Sequence, residues 1–386
     1  MVKPDAILVL DFGGQYCHLI SRRVREQNVY SEIVHYDITL REISELNKKV
    51  NIKGLILSGG PSSVYEANAP KFNIEILNLN IPLLGICYGH QLLAYMLGGE
   101  VKPGKEKEYG ITYTTIIKPN KIFEGLNKRE KVWMSHGDTV YKLPEDFIIL
   151  AYTKNSPIAA FKHKKKPIYG LQWHPEVVHT EHGIQMLKNF IFKVCKCKPN
   201  WVMEDFIGKA IKEIKEAVKD KKCVIALSGG VDSSTAAVLA SKAIGKNLTA
   251  VFVDHGFMRE GEPEKVTKLL SAPPINLPVR IINARERFLN ALKGLRDAEE
   301  KRKAFRETFY QTLAEVAKKE GCSFLVQGTI KADVVETVGG VKTQHNVLAQ
   351  VGIDPAERFG FQVVEPVAEL YKEQVRMVAR HLGLPP

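Results

Sequence analysis

The feature that most restricts the fold is an alternation of short apolar runs, each closed by a glycine-containing turn, with helical patterns. Ala6–Asp11, Gly54–Ser58 and Pro82–Ile86 are rich in Ile, Leu or Val and read as buried strands, and His18–Gln27 and His90–Leu97 read as helices. Near 195–201 a Lys-Pro-Asn stretch interrupts the pattern as a linker. A helix over Glu204–Lys219 follows, with an apolar stripe at Ile207, Ile211, Ile214 and Val218. A second alternation then places strands at Cys223–Leu227, Leu248–Asp254, Val279–Asn283 and Phe324–Gln327. The fold class is therefore α/β, as two tandem domains over 5–197 and 198–386. Each is expected to be a mostly parallel sheet covered by helices, with its site at the carboxyl ends of the strands. A chain of 386 residues suits two such cores better than one.

No apolar run reaches the roughly 18–20 residues of a bilayer-spanning helix. The run Ala6–Leu10 is too short for a secretory signal and ends at once in Asp11. A cytoplasmic protein with no membrane partner is expected. Six cysteines, at 17, 87, 195, 197, 223 and 322, are too scattered for a disulfide framework. The pair Cys195 and Cys197 has no second pair at zinc-ligand spacing, and His179 and His182 have no accompanying ligands. A polar helix start is the preferred reading of 179–182. The net charge of +12 favours anionic substrates such as nucleotides. Lysines interleave with glutamates, as in Glu213–Lys219, which is the pattern of a solvated helix face. No nucleic-acid partner is expected.

Two segments carry chemistry. Gly85-Ile86-Cys87-Tyr88-Gly89 lies between an apolar strand and a helix. Small residues two before and two after a nucleophile permit the tight strand-to-helix turn that exposes it, and the helix N-terminus favours a thiolate. A buried core cysteine is the alternative for Cys87 alone. His174 and Glu176, two residues apart after the apolar segment Pro167–Leu171, supply a base for the thiol proton and a carboxylate to orient that base. The glycine turn at Gly59 and Gly60 can offer amides that join that of Tyr88 in an oxyanion hole.

The second segment is Ser228-Gly229-Gly230-Val231-Asp232-Ser233-Ser234, which follows a strand and opens a helix over Thr235–Ala243. Its glycines let amides converge on an anion at a helix terminus, its serines add donors, and Asp232 is a natural Mg²⁺ contact. No Lys-Ser/Thr follows the glycines, so it is not a Walker A loop. An ordinary N-cap turn is the plainer alternative.

The segments from Asp11-Phe-Gly-Gly-Gln-Tyr16 through Met134-Ser-His-Gly-Asp138 to the His-Pro-Glu motif resemble the class I glutamine amidotransferases. The resemblance implies glutamine hydrolysis through a γ-glutamyl thioester on Cys87, with Gln91 and the backbone at Ser135 and His136 holding glutamine. The serine-glycine loop resembles that of the N-type ATP pyrophosphatases. That implies ATP held by residues 228–234, Val253 and Asp254 with the adenosine, and Gly328 and Thr329 at the same crevice. A triad glutaminase ahead of such a loop resembles the GMP synthetase family, and local matches at 252–256, 327–330, 342–347 and 364–366 agree. The resemblance implies adenylation of the 2-oxygen of xanthosine monophosphate (XMP) by ATP with Mg²⁺, followed by displacement of AMP by ammonia. Asp333, Lys342 and His345 are then substrate contacts. Position 14 is Gly where the family often has Ser, and Gln344 stands where many members have His. The sequence stops at Leu382–Pro386, where the family pattern continues for about a further domain that carries much of the XMP site and the dimer interface. A homodimer is the family expectation, and it rests on that portion. An amidotransferase or RNA-thiolating enzyme acting on another carbonyl is the second reading, and a basic nucleic-acid-binding protein the third.

Overall fold

The computed structural model describes residues 3–333 and 354–385. Two compact units divide at Val202 and Met203. Residues 198–202 belong to the first through specific bonds. The Lys198 N–H donates to Asp5 Oδ2 (2.8 Å), the Asp5 N–H to Asn200 Oδ1 (2.8 Å) and the Trp201 N–H to the carbonyl of Asn28 (2.9 Å).

The first unit runs β1 (Asp5–Asp11), α1 (Cys17–Arg25), β2 (Tyr30–His35), α2 (Leu40–Lys49), β3 (Asn51–Leu57), β4 (Leu83–Ile86) and α3 (Tyr88–Met96). It continues with β5 (Glu100–Ile116), β6 (Arg129–Lys142), β7 (Phe147–Tyr152), β8 (Ala160–His163), β9 (Ile168–Leu171) and α4 (Gly183–Lys188). Among the described residues its sheet has the order β2-β1-β3-β4-β9-β8-β7-β5-β6. The strands β2 to β9 of that order are parallel, as the alternation predicts. Successive side chains of β1 feed two cores, Ile7 and Val9 one, Ala6, Leu8 and Leu10 the other. The helix α2 opens on a capping box, Thr39 with Glu42.

An antiparallel extension, β8-β7-β5-β6, continues the sheet beyond β9. Along β6 the buried Val132, Met134 and His136 alternate with the half-buried Lys131, Trp133 and Ser135. The long strands β5 and β6 lack the continuous apolar runs that mark the parallel strands, whereas β7 (Phe147–Tyr152) is one.

The second unit runs α5 (Met203–Val218), β10 (Lys222–Leu227), α6 (Val231–Ile244), β11 (Leu248–Asp254), α7 (Glu262–Ser271), β12 (Val279–Asn283), α8 (Arg285–Leu292), α9 (Ala298–Glu320), β13 (Cys322–Val326) and β14 (Gln362–Val364), and ends in a helix over Lys372–His381. Its described strands are all parallel in the order β12-β11-β10-β13-β14. The chain goes from β10 to β11 on one side, while β13 lies on the other. The carboxyl end of β10 is thus a topological switch point, where a crevice opens. The buried face of α5 is Met203, Phe206, Ala210, Ile214 and Val218, with Ile207 and Ile211 at its half-exposed margin. Phe206 and Ala210 thus replace Ile207 and Ile211 on the face that the isoleucines alone suggest.

Candidate active sites

In the first unit, Cys87 joins β4 to α3 with φ 53° and ψ −105°, a strained conformation for a residue with a Cβ. The glycines on either side make the turn possible. A Cβ on Gly85 would lie 2.4 Å from the carbonyl oxygen of Gly89, and one on Gly89 would lie 2.5 Å from that of Leu57. Both obstructions are backbone, so neither can move aside. The turn presents Sγ towards the carbonyl of Ser135 at 3.4 Å, with the residue 5% exposed.

His174 and Glu176 follow β9, the neighbour of β4, so the sheet itself brings them beside Cys87. Nδ1 of His174 is 2.6 Å from Oε1 of Glu176, and both residues are buried. Burial alone would push the imidazole down. The Glu176 carboxylate and the hydrogen-bonded Cys87 sulfur outweigh it and hold His174 well above the ordinary histidine range. Gly59 is packed against this pair: a Cβ there would lie 3.1 Å from Cε1 of His174 and 3.6 Å from Cβ of Cys87. Gly60 packs on Phe12 and Tyr88. A side chain at Gly14 would meet the carbonyl oxygen of Gly59 at 2.3 Å, so glycine at this position lets the 13–16 loop close over the turn.

Cys87, Tyr88, Gly59, Gly60, Gln91, Ser135, His136 and His174 line one cavity of about 690 Å³, while Glu176 stands behind His174. Gln91 and His136 build its wall. Gln91 Nε2 donates to the carbonyl of Asp138 at 2.8 Å, and Nδ1 of His136 lies 2.8 Å from the same oxygen. Nε2 of His136 is 3.2 Å from Glu108, which also accepts from Ser156 at 2.8 Å and from Thr153. Burial would raise the Glu108 carboxyl, but these bonds from His136, Ser156 and Thr153 together hold it below its usual range. Burial pushes the thiols of Cys17, Cys195, Cys223 and Cys322 up, which favours their protonated form.

In the second unit the serine-glycine loop leaves the carboxyl end of β10 and enters α6. Gly229 has φ +77°, and Gly230 caps the helix. Ser228 Oγ is 3.0 Å from Ser233 Oγ and accepts from the Gly230 N–H at 3.3 Å. Ser228, Asp232, Ser233, Val253, Gly328, Thr329 and Asp333 line a cavity of about 460 Å³ with Tyr310 and Phe309. Gly229, Gly230, Val231 and Ser234 shape the loop and the first turn instead of lining the cavity. Asp254 is turned aside: it accepts from the Gly256 N–H at 3.0 Å and from Arg285 Nε at 2.8 Å. Thr329 Oγ1 donates to Glu365 at 2.6 Å, and Asp333 accepts from the Ile330 N–H at 2.9 Å. Lys342 and His345 lie outside the described residues.

Two further partnerships join residues distant in sequence. Lys372 Nζ lies 2.6 Å from Asp232 Oδ2 across 140 positions of sequence, and Arg23 Nε donates to the carbonyl of Glu176 at 3.0 Å. Neither has a spacing that points to its partner.

Residues 8–194 match the glutamine amidotransferase class-I family and residues 203–385 the PP-loop domain family. A glutamine-hydrolysing GMP synthase from Carboxydothermus hydrogenoformans is 49% identical over 384 residues, covering 98% of this chain and 74% of that protein. Those from Aquifex aeolicus (49% identity, 98% and 73% covered) and Caldicellulosiruptor saccharolyticus (50%, 100% and 74%) are similarly close. The chain belongs to the glutamine-hydrolysing GMP synthase family. Each of the two sites falls within one of the matched domains: the Cys87 cavity in the amidotransferase part, the serine-glycine loop in the PP-loop part.

Proposed function

We propose that this chain makes GMP from XMP with Cys87 as the glutaminase nucleophile and the loop 228–234 as the ATP-phosphate site. The activity is that of a carbon–nitrogen ligase using glutamine and ATP, a reading supported by relatives named glutamine-hydrolysing GMP synthases and by the PP-loop match. The observation that carries the assignment of residues is the buried His174–Glu176 pair beside a cysteine on a strained elbow.

His174 takes the Cys87 proton, and Glu176 holds the imidazole tautomer and stabilises the imidazolium that forms. The thiolate attacks the glutamine carboxamide. Amides of Gly59, Gly60 and Tyr88 stabilise the oxyanion, and the imidazolium protonates departing ammonia. Water then releases glutamate from the thioester. Gln91, Ser135 and His136 hold glutamine. At the second site the loop amides and the N-terminus of α6 hold the pyrophosphate portion of ATP while the XMP 2-oxygen attacks the α-phosphorus. Ammonia then displaces AMP.

Among the described residues no cluster of three or more acidic, His or Cys side chains forms a metal cage. Mg²⁺ is commonly held by one or two carboxylates plus substrate phosphates. Asp232 suits that role: Oδ2 faces Lys372 while Oδ1 is buried without a hydrogen-bond partner among the described residues. Mg²⁺ bound with ATP would neutralise charge on the pyrophosphate leaving group. Asp333, Lys342 and His345 are assigned to substrate contacts. No helix among the described residues is long and apolar enough to cross a membrane, and the nucleotide substrates support the reading of a cytoplasmic location. A homodimer is the family-based expectation, checked by light scattering.

The test is an assay of the 386-residue chain with glutamine, ATP, Mg²⁺ and XMP, alongside Cys87→Ala. Wild type forms GMP from either nitrogen source, and the variant only from free ammonia. A folded Cys87→Ala protein that also loses ammonia-dependent turnover overturns the division of labour.

A further inference from the structure

The segment 179–182, polar and rich in histidine, has no place in the triad, yet each of its side chains that makes a contact is turned to β6 or its flank. The His179 ring lies tilted against that of Trp133 with centroids 4.6 Å apart, and Nδ1 of His182 is 2.6 Å from the buried Glu130 carboxylate. The Glu181 N–H donates to the carbonyl of Lys131 at 3.1 Å. Between them sits Thr180, 4% exposed.

Thr180 closes a ring of three hydrogen bonds around the backbone of His174. Its hydroxyl donates to the His174 carbonyl at 2.6 Å and accepts from the Trp133 N–H at 3.0 Å. The Trp133 carbonyl in turn accepts from the His174 N–H at 3.0 Å. Both polar groups of the His174 backbone are thus tied to one edge of β6, one directly and one through a single hydroxyl. The same strand supplies the Ser135 carbonyl that faces the Cys87 sulfur. The register of the base relative to the thiol is therefore set through β6, and Thr180 is the side chain that locks it.

We propose that Thr180 is a positioning residue for the glutaminase reaction, fixing His174 at the distance and angle from which it takes the Cys87 proton. The proposal rests on the assignment of Cys87 and His174 made above. A base held on one backbone bond instead of two can drift, and a displacement on the order of 1 Å costs about 100-fold in a proton-transfer geometry.

The experiment compares wild type, Thr180→Val, Thr180→Ser and Cys87→Ala in the full chain. Glutaminase kcat and KM, ammonia-dependent GMP formation and the rate of Cys87 alkylation by iodoacetamide are measured on each. Thr180→Val keeps the shape and removes the hydroxyl. Its glutaminase kcat is expected to fall on the order of 10- to 100-fold with KM for glutamine within about twofold. Alkylation of Cys87 slows, ammonia-dependent synthesis is unchanged, and Thr180→Ser restores the glutaminase rate. Wild-type kcat in Thr180→Val overturns the proposal. So does a loss that Thr180→Ser does not restore, or one matched by ammonia-dependent synthesis, since either marks a structural role. Retained glutaminase activity in Cys87→Ala instead overturns the underlying assignment of the site.

Discussion

Nδ1 of His174 lies 2.6 Å from Oε1 of Glu176, inside the protein and next to the Cys87 thiol. The pair places a carboxylate where it can hold an imidazolium that burial alone would expel. Glu176→Gln keeps the size and removes the charge. Glutaminase kcat is expected to fall by about 100-fold or more, with ammonia-dependent GMP formation intact. Steady-state assays with each nitrogen source check this.

The same pair links stability to pH. His174 is raised in the folded state, against the burial that lowers it, by Glu176 and Cys87. Its contribution is therefore fully present below the unfolded histidine value of about 6.5 and is lost as pH rises through the higher folded value. Urea unfolding between neutral and alkaline pH should show wild type losing stability more steeply than Glu176→Gln. Equal slopes would rule out the charged pair.

Gly85 and Gly89 are in backbone contact, with 2.4 Å available where a Cβ on Gly85 would meet the Gly89 carbonyl oxygen. Gly85→Ala must open the elbow. A loss of about 1–3 kcal/mol is expected from the overpacking, together with most of the glutaminase rate. Thermal unfolding and thiol alkylation at Cys87 measure the two effects separately.

Gly328 has the corresponding place in the second unit. A Cβ there would lie 2.6 Å from the Ser233 amide nitrogen and 2.8 Å from the Asp232 carbonyl carbon. Gly328→Ala should displace the start of α6 and raise the KM for ATP roughly tenfold or more. XMP-dependent ATP/pyrophosphate exchange reads this, and the glutaminase rate should not change.

His90 follows the elbow and is completely buried. Burial, with a smaller effect of His136, pushes its imidazole down to about 3. Its contribution is present above the unfolded value of about 6.5 and is lost as pH falls towards 3. His90→Asn should flatten the acid limb of the stability profile between pH 6 and 4, measured by denaturant unfolding. An unchanged limb would assign acid sensitivity to other groups.

Much of the architecture is legible in the sequence. Buried parallel strands such as Asp5–Asp11 and Lys222–Leu227 are continuous apolar runs, because both faces lie under helices. Short glycine turns mark their carboxyl ends, so the Cys87 elbow, the His174–Glu176 pair and the serine-glycine loop could be found from local composition alone. Those signals are local because a tight turn or a helix cap is decided by neighbouring residues.

The rest depended on pairings distant in sequence. The antiparallel strands β5 and β6 are half-exposed and carry a diluted pattern, so only the fold brings Ser135 to Cys87 and Glu108 to His136. Lys372 reaches Asp232, and Asp254 turns to Arg285, because strand order brings those residues to one end of a sheet. Thr180 is the clearest case. Its residue type and position read as a polar helix start, and it takes on meaning only where β6 meets the backbone of His174. The sequence alone determined which residue types were available for the chemistry and which turns would expose them. The tertiary structure decided which groups stand within hydrogen-bond reach, since such contacts depend on sheet register and packing across distant segments.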